Sequence, residues 1–221
     1  MIIRPILFNT KMTRAILDGR KTCTRRLPNK RVENDYFSYE AWAMSVATGN
    51  CKKMTEKQFY EQYPPYKPGD LLYVRETWCG LPVNEAGHMR GHTIYYYMAD
   101  GELRPEGWRG TWRPSIHMPK EAARIWLKVT DVRVERLQDI TEEGALKEGA
   151  QGVRCDHVAI GEHGCTDCLG TGWIEPPIVD FIQIWDSTIK KPDIDRYSWQ
   201  ANPWVWVIEF ECCEKPEEGH E

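Results

Sequence analysis

Apolar residues along this chain fall in short runs separated by turn-forming clusters, a pattern of many short strands with a few small helices. Residues 2–8 make the first run and predict a strand. Thr10 stands where it can cap a helix over 11–17, with Gly19 as its stop. The stretch 28–68 reads as irregular, with some helix around 55–62. It closes in Tyr63-Pro64-Pro65-Tyr66-Lys67-Pro68-Gly69-Asp70, a turn cluster ahead of a strand over 71–76. A glycine-rich loop over 80–91 leads to an aromatic strand at 92–98, and 108–119 is irregular and rich in tryptophan, arginine and proline. Ile125, Leu127, Val129, Val132 and Val134 predict a long strand, or a pair of strands, within 123–136. Thr141 is expected to cap a short helix that runs to Glu148 and stops at Gly149. An amphipathic helix is predicted over 177–187. The run 203–210 is apolar on both faces, which predicts a central strand.

Strands of this kind, with small helices and long loops, predict an α+β domain built around a small, twisted, barrel-like sheet. The formal net charge of -4 argues against a protein that coats nucleic acid without regard to sequence. The charge is unevenly spread. Between Arg4 and Arg31 the only acidic residue is Asp18, whereas 209–221 is strongly acidic, so a local anion-binding surface on a mildly acidic body is expected. A solvated basic helix face is the plainer reading of the same arginines. Residues 1–8 are too short and too interrupted for a signal peptide, and no apolar run approaches the ~18 residues needed to cross a bilayer. A cytoplasmic protein without membrane contact is the expectation, and its eight cysteines should then be thiols or metal ligands.

The densest chemistry lies in Ile16-Leu17-Asp18-Gly19-Arg20-Lys21-Thr22-Cys23-Thr24-Arg25-Arg26. A lysine three residues before a threonine can hold an anion such as phosphate. If its pKa is depressed, it can instead take the hydroxyl proton and make the threonine a nucleophile. Burial or neighbouring cations would depress it, and Arg20, Arg25 and Arg26 are adjacent. Taken singly, Thr24 also reads as a turn-capping hydroxyl and Glu148 as a solvated helix-end carboxylate. A Cys23 nucleophile lacks an evident histidine partner nearby.

That turn, together with Pro68-Gly69-Asp70, Ile140-Thr141-Glu142-Glu143-Gly144-Ala145-Leu146-Lys147-Glu148-Gly149 and Val205-Trp206-Val207-Ile208-Glu209-Phe210, resembles the ASCH family, whose fold is a PUA-like β-barrel. The resemblance covers the framework, about half the chain. It implies a single ASCH domain over 1–221, with short flanking helices and long loop insertions at about 28–62, 80–91 and 150–175. The segments 73–78 and 112–119 make it similar to versions common in tailed bacteriophages and prophages. Some small members of the family are N4-acetylcytidine amidohydrolases. That resemblance implies Lys21 as proton acceptor, Thr24 as nucleophile and Glu148 as proton donor, with a modified pyrimidine base or nucleoside as substrate. Arg20, Arg26, Arg75, Glu76, Trp78 and Trp112 are the expected substrate contacts. Tyr95, Tyr97 and Trp108 add aromatic surface on which a base could stack. Other family members bind RNA or act like ribonucleases, so binding of RNA or another single strand is the alternative.

A second motif is Cys165-x-x-Cys168-x-Gly170-x-Gly172, the pattern of a zinc knuckle. Two thiolates two residues apart can face one ion, and the glycines let backbone amides turn toward the sulfurs. Cys155 with His157 or His163 can complete a tetrahedral set. A closed set of this kind is structural, so the expected cofactor is a structural zinc ion that takes no part in catalysis. The rival reading is a reduced loop whose thiols merely lie close. Cys51, Cys79, Cys212 and Cys213 are expected to be bystanders.

Overall fold

A computed structural model describes residues 1–46, 53–83, 92–101, 111–155 and 172–216. The architecture is mixed α+β. The strands are β1 (Ile3–Leu7), β2 (Cys23–Arg26), β3 (Leu71–Arg75), β4 (Trp78–Val83), β5 (His92–Tyr97), β6 (Trp126–Arg136), β7 (Val153–Arg154), β8 (Trp173–Glu175) and β9 (Trp204–Cys213). The helices are α1 (Thr10–Leu17), α2 (Lys30–Val46), α3 (Glu56–Gln62), α4 (Glu142–Lys147), α5 (Pro177–Thr188) and α6 (Ile194–Tyr197). Five strands form one sheet in the order β1-β3-β6-β9-β2, and β4-β5 and β7-β8 form two-stranded sheets. The apolar closing run is therefore an interior strand of its sheet, as its two-faced hydrophobicity predicts. No described helix is long and apolar enough to cross a membrane.

The chain divides into two compact units, residues 1–21, 68–130 and 210–221 in the first and 22–67 and 131–209 in the second. In the first unit β1 runs parallel to β3, with Ile3 opposite Leu71 and Leu7 opposite Arg75, and β3 runs antiparallel to β6. The cap of α1 is Asn9, whose side chain accepts from the Met12 amide at 2.8 Å, so Thr10 is the first helical residue instead of the cap. Gly19 takes φ +72°, a left-handed turn that glycine adopts without steric cost, and the Arg20 and Lys21 amides both return to the Ala15 carbonyl. The glycine-rich loop expected from residue 80 is in fact strand as far as Val83, paired antiparallel with β5. Gly80 belongs there because a Cβ would come within 2.9 Å of the Thr93 methyl group. Tyr73, Trp78, Met118, Ala122, Ala123 and Trp126 make a buried core in this unit.

In the second unit β2 runs antiparallel to β9, with Thr24 opposite Ile208 and Arg26 opposite Trp206. Leu137, Ile140, Ala145, Phe181, Trp185, Val205 and Val207 form its core. Much of 30–46, read from sequence as irregular, is the helix α2. Asn29 accepts from the Val32 amide at 3.0 Å to start it. Tyr36 packs its ring on Phe59 of α3, 5.4 Å between centroids, and Tyr60 packs on Trp206, 6.1 Å away. Thr55 and Gln58 form a reciprocal capping box at the start of α3.

Candidate active site

The start of β2 and the end of α4 are tied together within the second unit. The Thr22 amide donates to the Lys147 carbonyl at 2.9 Å. Thr141 caps α4 by accepting from the Gly144 amide, and Gly149, at φ +86°, ends it. Glu148 is thereby held at the helix C-cap, only 7% exposed. Side chains alternate along β2, so Cys23 and Arg25 share one face while Thr24 and Arg26 share the other.

Arg25 is the electrostatic centre of this region. Its residue is 6% exposed, and its Nη1 lies 3.3 Å from Glu148 Oε1 while Nη2 lies 3.4 Å from Glu135 Oε2. The guanidinium carbon stands 5.9 Å from the Phe181 ring centroid. Its Nε has no hydrogen-bond partner among the described residues, although Arg25 lines a cleft of about 160 Å³ with Cys23, Thr141, Lys147 and Glu209. Glu148 interacts with a second arginine: burial pulls the Arg26 guanidinium below its ordinary value, and the Glu148 carboxylate and then Tyr66 oppose that pull. Glu148 is thus a buried carboxylate among arginines and not a solvated helix-end group. The signal for Arg25 was present in sequence only as one more member of a basic run. Its pairing with Glu135 and Glu148 spans 110 and 123 positions and needs the folded chain.

Thr24 is 2% exposed on β2. Lys21 precedes Thr22 in the chain. It belongs to the first unit and is also 2% exposed, with its Nζ 5.5 Å from the Phe8 ring centroid. A lysine buried to this extent is costly unless its charge is compensated or lost, so an ordinary solvated basic residue does not describe Lys21. Arg20 differs: its side chain is exposed and pairs with Asp18 at 2.8 Å.

The remaining expected contacts lie in the first unit. Glu76 is buried and held by Arg124 in two-pronged fashion, at 2.9 and 3.1 Å. Arg124 also pairs with Asp100 at 2.8 Å and stacks on the Tyr97 ring, 4.0 Å from its centroid. Burial pushes the Glu76 carboxyl above its ordinary value, against the pull of Arg124, and burial also pushes the Tyr97 hydroxyl up to about 12. A raised carboxyl is more fully protonated in the folded state than in the unfolded one. Stability of the wild type relative to Glu76→Gln should therefore fall as pH rises from the ordinary carboxyl range through the raised folded value, then level off. Melting temperatures of both proteins across pH 4–8 (a span of roughly the range where carboxyls and their raised forms titrate) check this. A constant difference would contradict it.

Arg75 donates to the Ile116 carbonyl at 3.2 Å and stacks on Tyr73. Trp78 is buried in the core, 5.8 Å from the Tyr95 ring and with Arg113 over its face, and Trp112 is half-buried. Trp78 thus packs as core, with its ring covered. Trp108 and Cys51 lie outside the described residues.

For the metal site, β7 and β8 pair antiparallel with Val153 opposite Glu175, and the Cys155 amide donates to the Gly172 carbonyl at 3.1 Å. This stem brings together the two ends of the cysteine-rich segment. His157, His163, Cys165 and Cys168 lie outside the described residues, among which no group of three metal-binding side chains occurs. Comparison of the chain with family models, curated proteins and solved structures gives no match.

Proposed function

We propose that this chain is an amidohydrolase that removes an acyl group from N4 of acylated cytosine or cytidine, on a PUA-like ASCH framework. The observation that carries the reading is the burial of all three reactive side chains, Lys21, Thr24 and Glu148, each under a tenth exposed. Polar groups are withdrawn from water at a cost, and a nucleophile, a base and an acid gain from the exclusion of water. In the proposed reaction Lys21, in its neutral form, accepts the Thr24 proton as the hydroxyl attacks the acyl carbon. The C–N4 bond then breaks, Glu148 delivers a proton to the departing amine, and water hydrolyses the acyl-threonine ester. Because Glu148 is ion-paired with Arg25, the proton it delivers is the one Lys21 removed from Thr24, passed on through water. Lys21 is then neutral again to take a proton from the water that hydrolyses the ester and to return it to Thr24.

The test is incubation of the purified chain with N4-acetylcytidine while its ultraviolet spectrum is followed. Conversion to the cytidine spectrum is expected, and an unchanged spectrum at high enzyme concentration overturns the reading. Binding of RNA or another single strand is the second reading, motivated by the basic N-terminal run. It draws no support from Arg25, whose guanidinium is turned inward to two carboxylates.

We also propose a structural zinc ion held by Cys155, Cys165, Cys168 and either His157 or His163. The β7–β8 stem supports this by fixing Cys155 beside the return of the segment that carries the other ligands. When bound, zinc would supply a closed tetrahedral anchor for that segment. Elemental analysis of the purified chain should give one zinc per molecule, falling when Cys165 and Cys168 are both changed to Ser. A metal-free chain purified without chelator would contradict it.

A further inference from the structure

A second cavity in the 22–67 and 131–209 unit shares no lining residue with the cleft around Arg25. Its volume is about 180 Å³, and its walls include four aromatic rings, Phe37, Tyr60, Tyr197 and Trp204, together with the carboxylates of Glu33 and Glu56. Glu33 is only 7% exposed. One hydroxyl, that of Tyr197, donates to both of its oxygens at 2.8 and 2.7 Å, and Arg196 stands 3.9 Å away. A carboxylate offers about four lone-pair positions, so one hydroxyl and one distant guanidinium leave Glu33 with unused acceptor capacity at the cavity. Glu56 accepts from the Tyr60 hydroxyl at 3.0 Å.

The charges within the cavity lining do not balance. Two carboxylates face a single guanidinium, that of Arg196, which is itself largely exposed at the rim. The tyrosines register the same field. Burial and then Glu56 push the Tyr60 hydroxyl upward, and burial and then the bond to Glu33 push Tyr197 up to about 12. Both remain neutral hydrogen-bond donors at ordinary pH. Arg136 lies over Trp204, 4.2 Å from its centroid, and Arg196 over Tyr197 at 5.1 Å, so these rings already hold cations on one side, and Phe37 and Tyr60 add further aromatic wall to the cavity. An anion would meet two carboxylates here, and a neutral apolar group would leave Glu33 dry and underused.

We propose that this cavity binds a small organic ammonium cation, methylated at nitrogen, through cation–π contacts with the aromatic walls and charge pairing with Glu33. The site does not depend on the hydrolase reading.

The test uses the full chain labelled with ¹⁵N and titrated with choline, and in parallel with 3,3-dimethylbutan-1-ol, the uncharged molecule of the same shape. The indole N–H signal of Trp204, assigned with Trp204→Phe, is followed. Choline should shift it saturably, and the alcohol should bind at least tenfold more weakly. Glu33→Gln should weaken choline binding tenfold or more. Phe37→Ala, at a side chain on a residue 54% exposed whose loss spares the core, should weaken it several-fold. No saturable shift with choline, equal binding of the alcohol, or unchanged affinity in both variants would each overturn the proposal.

Discussion

Lys21→Met is expected to lower kcat/KM for N4-acetylcytidine by on the order of 10²–10⁴, the usual contribution of a positioned base. Methionine nearly matches the volume of the buried lysine stem, so the variant should stay folded, with a melting temperature near that of the wild type. A parallel pair of changes isolates the nucleophile. Thr24→Val keeps the branched shape on β2 but removes the hydroxyl, and should be as damaged as the lysine variant. Thr24→Ser restores the oxygen and should recover part of the rate. Acid quenching of the wild type during turnover should trap an acyl ester on Thr24, visible by mass spectrometry of the intact protein, and Glu148→Gln, slowed before the C–N4 bond breaks, should show less of it. Full activity in Lys21→Met, or in Thr24→Val, would remove the proposed chemistry. The two losses should also combine non-additively, because both residues serve one step.

Arg25→Leu should produce the largest loss of stability. The change leaves the buried Glu148 carboxylate without the guanidinium at 3.3 Å and strips a partner from Glu135. Breaking a buried pair from one side costs about 3–5 kcal/mol. For a chain of this size that corresponds to a fall in melting temperature of roughly 6–20 °C. The double variant Arg25→Leu/Glu148→Gln removes the stranded charge and should recover a substantial part of the loss. Arg25→Lys keeps the charge but not the two-pronged geometry, and should fall between wild type and Arg25→Leu. Thermal unfolding of these proteins together with the single variant Glu148→Gln closes the cycle and measures the coupling. A single variant melting with the wild type would show that the pair contributes nothing to the fold.

Local signals carried far into this fold. Thr141 and Gly149 marked both ends of α4 correctly, because capping needs only residues three or four apart. Gly19 ended α1 for the same reason, although Asn9 outcompeted Thr10 as the cap one residue earlier. The alternating apolar residues from Leu127 to Val134 lie in β6, with Ile125 just ahead of it, and the two-faced apolar run became the interior strand β9. The helix α2 was legible in principle. Val32, Tyr36, Tyr39 and Ala43 recur at helical spacing behind Asn29, but the intervening Asn34, Asp35 and Ser38 obscured them. Gly80 misled in the opposite direction. Its lack of a side chain reads as a loop in isolation, whereas the close approach of Thr93 makes it a requirement of the strand.

The sequence by itself determined β1, α1, β3, β5, β6, α4, α5 and β9 and the cap that carries Glu148, but not α2, nor that Thr24 lies on the strand β2. Each element so determined rests on interactions within a few residues, where residue type and spacing are sufficient. Only the tertiary structure decided that Arg20 is an exposed partner of Asp18 while Arg25 is buried between two carboxylates. It likewise turned Glu76 inward to Arg124 and packed Trp78 into a core. The cause is physical: Arg20, Lys21, Arg25 and Arg26 are chemically alike along the chain, and desolvation sets them apart, with partners more than a hundred residues away assigning Arg25 its role.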